Sequence, residues 1–175
     1  RELAHDHVLV RLLFINALSF GLLMAYLSAA PFVLRNVLGM GTVAYTAVFG
    51  LCGATVTVTI AVAASLVRRF SQARQVRVGL IAGLVVDTVF AGVCLTWLRE
   101  PVTGPERMPL LVAVVALFLA HVACLGLSMG NVPALALDRT GRWAGTGSAL
   151  LGFLQFVVGG LVSPLVGLTG EASGA

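Results

Sequence analysis

Between Trp143 and Leu168 the chain runs for a full membrane thickness without a single charged side chain. A segment of this length and apolarity is long enough to span a bilayer core as a helix and too long to be one face of a small soluble domain. Four further apolar stretches share this character, at about Leu12–Leu34, Thr42–Val67, Val78–Leu98 and Pro109–Leu135. Composition agrees. Hydrophobic residues make up 59% of the chain, charged residues only 10%, and the mean hydropathy is +1.03. A soluble domain carries about 25% charged residues to cover its surface. The expected fold class is an all-α integral membrane protein with five transmembrane helices.

The charges that remain sit at the ends of the apolar runs. All eleven basic residues are arginine and lysine is absent, so the formal charge of +4 is not a nucleic-acid footprint. With the N-terminus inside, Arg1, Arg11, Arg68, Arg69, Arg74, Arg77, Arg139 and Arg142 fall on one side, and Arg35, Arg99 and Arg107 on the other. Eight against three orients the chain with the Arg68–Arg77 turn in the cytoplasm, because basic residues are retained on that side. Residues 1–11 read as a cytoplasmic juxtamembrane segment and residues 12–175 as the transmembrane domain. The arginine-only basic set, with abundant Ala, Gly, Val and Leu, fits a GC-rich bacterial genome and a multi-pass protein of the bacterial cytoplasmic (inner) membrane.

Polar side chains inside the apolar runs are costly and therefore informative. Asn16, Ser19 and Tyr26 share one face of the first run. His121, Cys124, Ser128 and Asn131 form a stripe along the fourth. Asp87 stands near the centre of the third, where an ionised carboxylate costs about 2.5–3.5 kcal/mol on insertion scales. Asp87 and His121 are candidates for proton coupling, since an acid and an imidazole can each exchange a proton when wetted. The same polar residues also suit plain hydrogen bonding between helices. Thr46, Gly50, Gly53 and Thr57 on the second run, and the glycines of the fifth, read as small-residue stripes for close helix packing. Cys52, Cys94 and Cys124 lie singly in apolar runs with no metal spacing. No metal, nucleotide or hydrolase motif is present, so neither an enzyme nor a cofactor is expected.

Two blocks carry a family resemblance. One is Asn131, Ala136-Leu137-Asp138, Ala144-Gly145-Thr146, Ser148-Ala149-Leu150, Gly152, Gln155 and Pro164-Leu165. The other is Tyr26-Leu27-Ser28 followed by Pro31-Phe32-Val33-Leu34. In order and spacing they resemble the tenth-to-eleventh and seventh helices of the bicyclomycin-resistance (Bcr/CflA) drug-efflux transporters of the major facilitator superfamily. The likeness covers nearly the whole chain, as a C-terminal six-helix half lacking its last helix. It implies secondary export of small drug-like molecules, driven by a proton gradient, with rocking halves and an inverted three-plus-three repeat. It also implies that the N-terminal half of the transporter, the bilayer and a drug or metabolite are the partners. On this likeness Asn16, Phe20, Tyr26, His121, Asn131 and Gln155 are the candidate substrate contacts. The ninth helix of that fold, which corresponds to the run holding Asp87, lies at the periphery. A second reading is a non-transporting structural membrane subunit whose polar residues only bind helices together.

The topology has a direct check. In the protein carrying Arg74→Cys, an impermeant thiol reagent is expected to label the new cysteine only from the cytoplasmic side. Labelling from outside would invert every span.

Overall fold

The computed structural model describes residues 6–97 and 104–171, the last six by their backbone alone. Readings that concern Arg1, Arg99 and the outermost residues of the segments 1–11 and 12–175 lie outside the described residues. The described residues form five long helices: α1 (His7–Pro31), α2 (Thr42–Leu66), α3 (Gln72–Trp97), α4 (Arg107–Thr140) and α5 (Ala144–Glu171). Four continuous helical runs are apolar and long enough to cross a membrane; the last of them spans both α4 and α5.

Side-chain contacts give the direction of each helix. Asp6 meets Arg139 and Tyr26 meets Phe118, so α1 and α4 are antiparallel. Asn16 meets Gln155 and Ser28 meets Ser163, so α1 and α5 are parallel. Gly126 packs on Val56 and Thr59, and Gly130 on Ile60, which makes α2 parallel to α4. Asp87 meets His121 and Gln75 meets Asn131, so α3 is antiparallel to α4. The helices therefore alternate in direction along the chain, as five successive crossings require. α4 is the hub, with extensive contacts to α1, α2 and α3, while α5 lies chiefly on α1. The placing of α5 on α1 mirrors that of α2 on α4, in keeping with the inverted repeat expected from the sequence.

Several boundaries differ from the sequence reading. α1 starts at His7 rather than Leu12, because the Asp6 carboxylate accepts hydrogen bonds from the Val8 and Leu9 amides and caps the helix. The Leu9 amide, with Arg139 also contributing, holds the Asp6 carboxyl below the usual carboxylate range. Arg74 and Arg77 lie on the opening turns of α3, so the basic turn is shorter than the apolar pattern suggested. Asp138 and Arg139 likewise belong to α4, and the reversal into α5 shrinks to Gly141–Trp143. Gly141 has φ +48°, a backbone conformation that side chains with a Cβ disfavour. Beyond Pro31, α1 continues as a π-helical turn over Phe32–Val37.

The small-residue stripes were assigned to the wrong helix faces in part. Thr46, Gly50, Gly53 and Thr57 are not the packing face of α2: a Cβ added at Gly50 or Gly53 meets nothing within 4 Å. α2 instead packs through Cys52, Val56, Thr59, Ile60 and Ala63. Close approaches include Gly21, Gly79, Gly126 and Gly159, where an added Cβ comes to 2.8, 3.0, 2.9 and 2.9 Å of a neighbouring helix, and Gly147, which lies against Thr140. In lipid, which does not drive apolar surfaces together, such backbone proximity is a main source of helix affinity.

Gly126→Leu is accordingly expected to cost about 1–3 kcal/mol by overpacking against Thr59 and the Val56 carbonyl. Gly50→Leu, in open space, should leave stability unchanged. Thermal unfolding of the two variants of the detergent-purified protein separates them.

Candidate functional site

The third and fourth helices meet along a seam whose register places like with like. Gln75 lies opposite Asn131, Gly79 opposite Cys124 and Ser128, Asp87 opposite His121, and Phe90 opposite Phe118. Glycines at 79 and 83 sit two turns and one turn before Asp87, so α3 comes close enough to α4 for the two titratable side chains to touch. His121 Nδ1 is 2.6 Å from Asp87 Oδ1. That is a short contact, of the kind made when one or both partners are charged. The Asp87 side chain is 36% exposed and that of His121 12%. The other ring nitrogen, His121 Nε2, is buried with no hydrogen-bond partner among the described residues.

Two cavities flank the pair. On the outer side, a space of about 250 Å³ is walled by Leu22, Ala25, Ala29, Leu117 and the aromatic rings of Tyr26, Phe90 and Phe118. Tyr26 stands edge-on to Phe118 at 5.0 Å, and its ring centroid is 6.0 Å from that of His121. Its hydroxyl is buried beside the Cys52 thiol, with no oxygen or nitrogen partner among the described residues. On the side towards the arginine-rich turn, about 170 Å³ is lined by Ser19, Gly79, Gly83, Cys124 and Ser128 and by four leucines, together with the pair itself. The arrangement joins a carboxylate and an imidazole by a short contact and offers an apolar, aromatic pocket next to them.

The candidate residues from the sequence fall into three groups. Tyr26, Asp87 and His121 come together around the outer cavity. Asn16 and Gln155 meet each other on the far side of α1, the Asn16 Nδ2 donating to Gln155 Oε1 at 3.2 Å, and Phe20 packs edge-on to Phe156 in the same interface. Asn131 lies apart, deep in the bundle, donating to Gln75 Oε1 at 3.3 Å and to the Leu127 carbonyl at 2.8 Å. The six candidate substrate contacts thus do not share one cavity.

The sequence reading considered Asp87 and His121 singly and missed that they pair. A signal was available: both lie at similar distances from the connection between their helices, so an antiparallel hairpin folds one onto the other. Gln75 was missed because it reads as part of the basic turn, whereas it is a buried amide that also donates to the Phe70 carbonyl.

No family model matches the chain, and no solved structure does. Among curated proteins it is 28% identical over 148 residues to an uncharacterized MFS-type transporter, YdgK, of Bacillus subtilis strain 168. The match covers 82% of this chain and 33% of the relative, so the chain spans about a third of the length of that protein. The helices, their alternation and this similarity agree on a multi-pass membrane protein, and the similarity supports membership of the major facilitator superfamily.

Proposed function

We propose that the chain is part of a proton-driven exporter of small drug-like molecules in a bacterial cytoplasmic membrane, of the bicyclomycin-resistance (Bcr/CflA) type. The similarity to an MFS-type transporter supports transport as such. The observation that carries the proton-coupled reading is the 2.6 Å contact between Asp87 and His121 within apolar helices. A carboxylate and an imidazole held together in a membrane are expensive unless the site uses their charge. With the imidazole neutral the pair bears one negative charge; with one more proton it bears none. That change is large on the scale of membrane energetics and can bias a two-state transporter.

In this reading Tyr26 and His121 offer one apolar pocket with polar groups at its edge, suited to an amphipathic molecule. Asn16, Phe20 and Gln155 shape the α1–α5 wall, and Asn131 the inner end of α4. The remaining two thirds of a transporter the length of the relative would supply the facing half. Rocking of two halves about a mid-membrane site is the mechanism this architecture suits.

Two measurements on the full-length transporter test the reading. Asp87→Asn is expected to reduce pH-gradient-driven drug export by at least about tenfold, equivalent to about 1.4 kcal/mol. Undiminished export would leave Asp87 a structural group. Asn16→Ala, Tyr26→Phe and Asn131→Ala combined are expected to raise drug accumulation in cells to the level of a strain lacking the transporter. Accumulation equal to that with the unaltered protein would remove these residues from the substrate path.

A further inference from the structure

The two cavities beside Asp87 and His121 differ in kind. The outer one is walled by aliphatic and aromatic groups, with the pair at one end. The inner one adds two serines: Ser19 of α1 is 4% exposed and Ser128 of α4 2%. Neither hydroxyl has a protein hydrogen-bond partner among the described residues, and both side chains border the inner cavity with the pair. Neither oxygen is among the fully buried unpartnered atoms, so each keeps some accessible surface. Four leucines also line this cavity, so Ser19, Ser128 and the pair are the polar groups of a largely apolar space, and they supply the partners that a water molecule there would need.

The polar track continues towards the arginine-rich end. One turn beyond Ser128, Asn131 holds Gln75 across the seam. Asn131 also borders a further cavity of about 280 Å³ that reaches Val67 and Gln72, next to the basic turn. In the opposite direction the seam is closed by the rings of Phe90 and Phe118, 5.1 Å apart, with Tyr26 against them. The titratable groups facing the site are Tyr26 from α1, Asp87 from α3, and His121 and Cys124 from α4; neither cavity beside the pair is lined by an arginine or glutamate among the described residues.

We propose that the crevice formed by Ser19, Gly79, Gly83, Cys124 and Ser128 is a water-filled proton conduit joining the Asp87–His121 pair to the cytoplasmic face. On release, the proton leaves the pair for the nearest water, which becomes hydronium and passes a proton to the next. The pair regains its single negative charge and the proton ends in the cytoplasmic solvent. The glycines serve this conduit by bringing α3 against Cys124 and Ser128 of α4, and the aromatic plug prevents the same water from reaching the exterior. The proposal gives the pair of the exporter reading its route to solvent; the conduit itself is a physical feature that does not depend on any drug being moved.

Cys124 is a built-in probe, since its thiol lines the crevice. The full-length transporter, in right-side-out and in inside-out vesicles, is treated with a small impermeant methanethiosulfonate, and modification of Cys124 is followed by peptide mass spectrometry. Modification is expected to be at least about tenfold faster from the cytoplasmic side, because the reagent reacts with solvated thiolate. Ser128→Leu and, separately, Ser19→Leu should each slow it by a similar factor by filling the crevice. A Cys124 that reacts no faster from the cytoplasmic side, that reacts from neither side, or whose rate both fillers leave unchanged overturns the conduit. Drug export is not read in this experiment. Its failure would remove the conduit and leave the exporter reading standing, and loss of the exporter reading would not alter the labelling.

Discussion

Lipid gives apolar side chains no reason to prefer one another, so this bundle is held by what lipid cannot offer: hydrogen-bond partners and close backbone contact. The described interhelical polar contacts obey that constraint. Asn16 finds Gln155, Ser28 finds Ser163, Asn131 finds Gln75, and Asp87 finds His121. Each neutral bond contributes only about 0.6 kcal/mol by the averages measured in membrane helices. Their larger effect is on register, since a slip by one turn would leave several of them facing hydrocarbon. Glycines at 79, 126 and 159 act with them by letting the paired helices come within reach.

This division explains which parts of the molecule could be read from the sequence. Apolar length and arginine placement follow from the bilayer itself, so the five helices and their alternation were legible before any packing was known. The polar stripe Asn16, Ser19, Tyr26 does turn inward, because exposing it to lipid would be costly. Helix ends were less legible, since capping by Asp6 and the tight reversal at Gly141 extend helices past the last apolar residue. The glycine stripe of α2 misled for a different reason. Small residues mark where a helix is able to approach another, and on Gly50 and Gly53 no neighbour in this chain does so.

The site shows the same limit. Asp87 and His121 were each conspicuous as polar groups in apolar runs, but their pairing depends on the register of α3 against α4, which periodicity within one helix does not contain. Gln75 was hidden by its arginine neighbours. The division of the space around the pair into an inner side bordered by serines and an outer side bordered by aromatic rings arises from three helices at once, with Ser19 contributed by α1, Gly83 by α3 and Ser128 by α4. No single segment carries that information.

α1 and α4 are fastened to each other at both extremities. At one end Arg139 is bound to Asp6, the cap of α1; at the other, Arg107 donates from Nε to the Leu38 carbonyl and from its terminal nitrogen to that of Gly39. Two antiparallel rods tied top and bottom behave as a strut, and bending is left to whatever leans on it. α3 leans on α4 along one seam. Any tilt of that helix therefore shifts the groups along the seam against each other, the Asp87 carboxylate and the His121 imidazole among them.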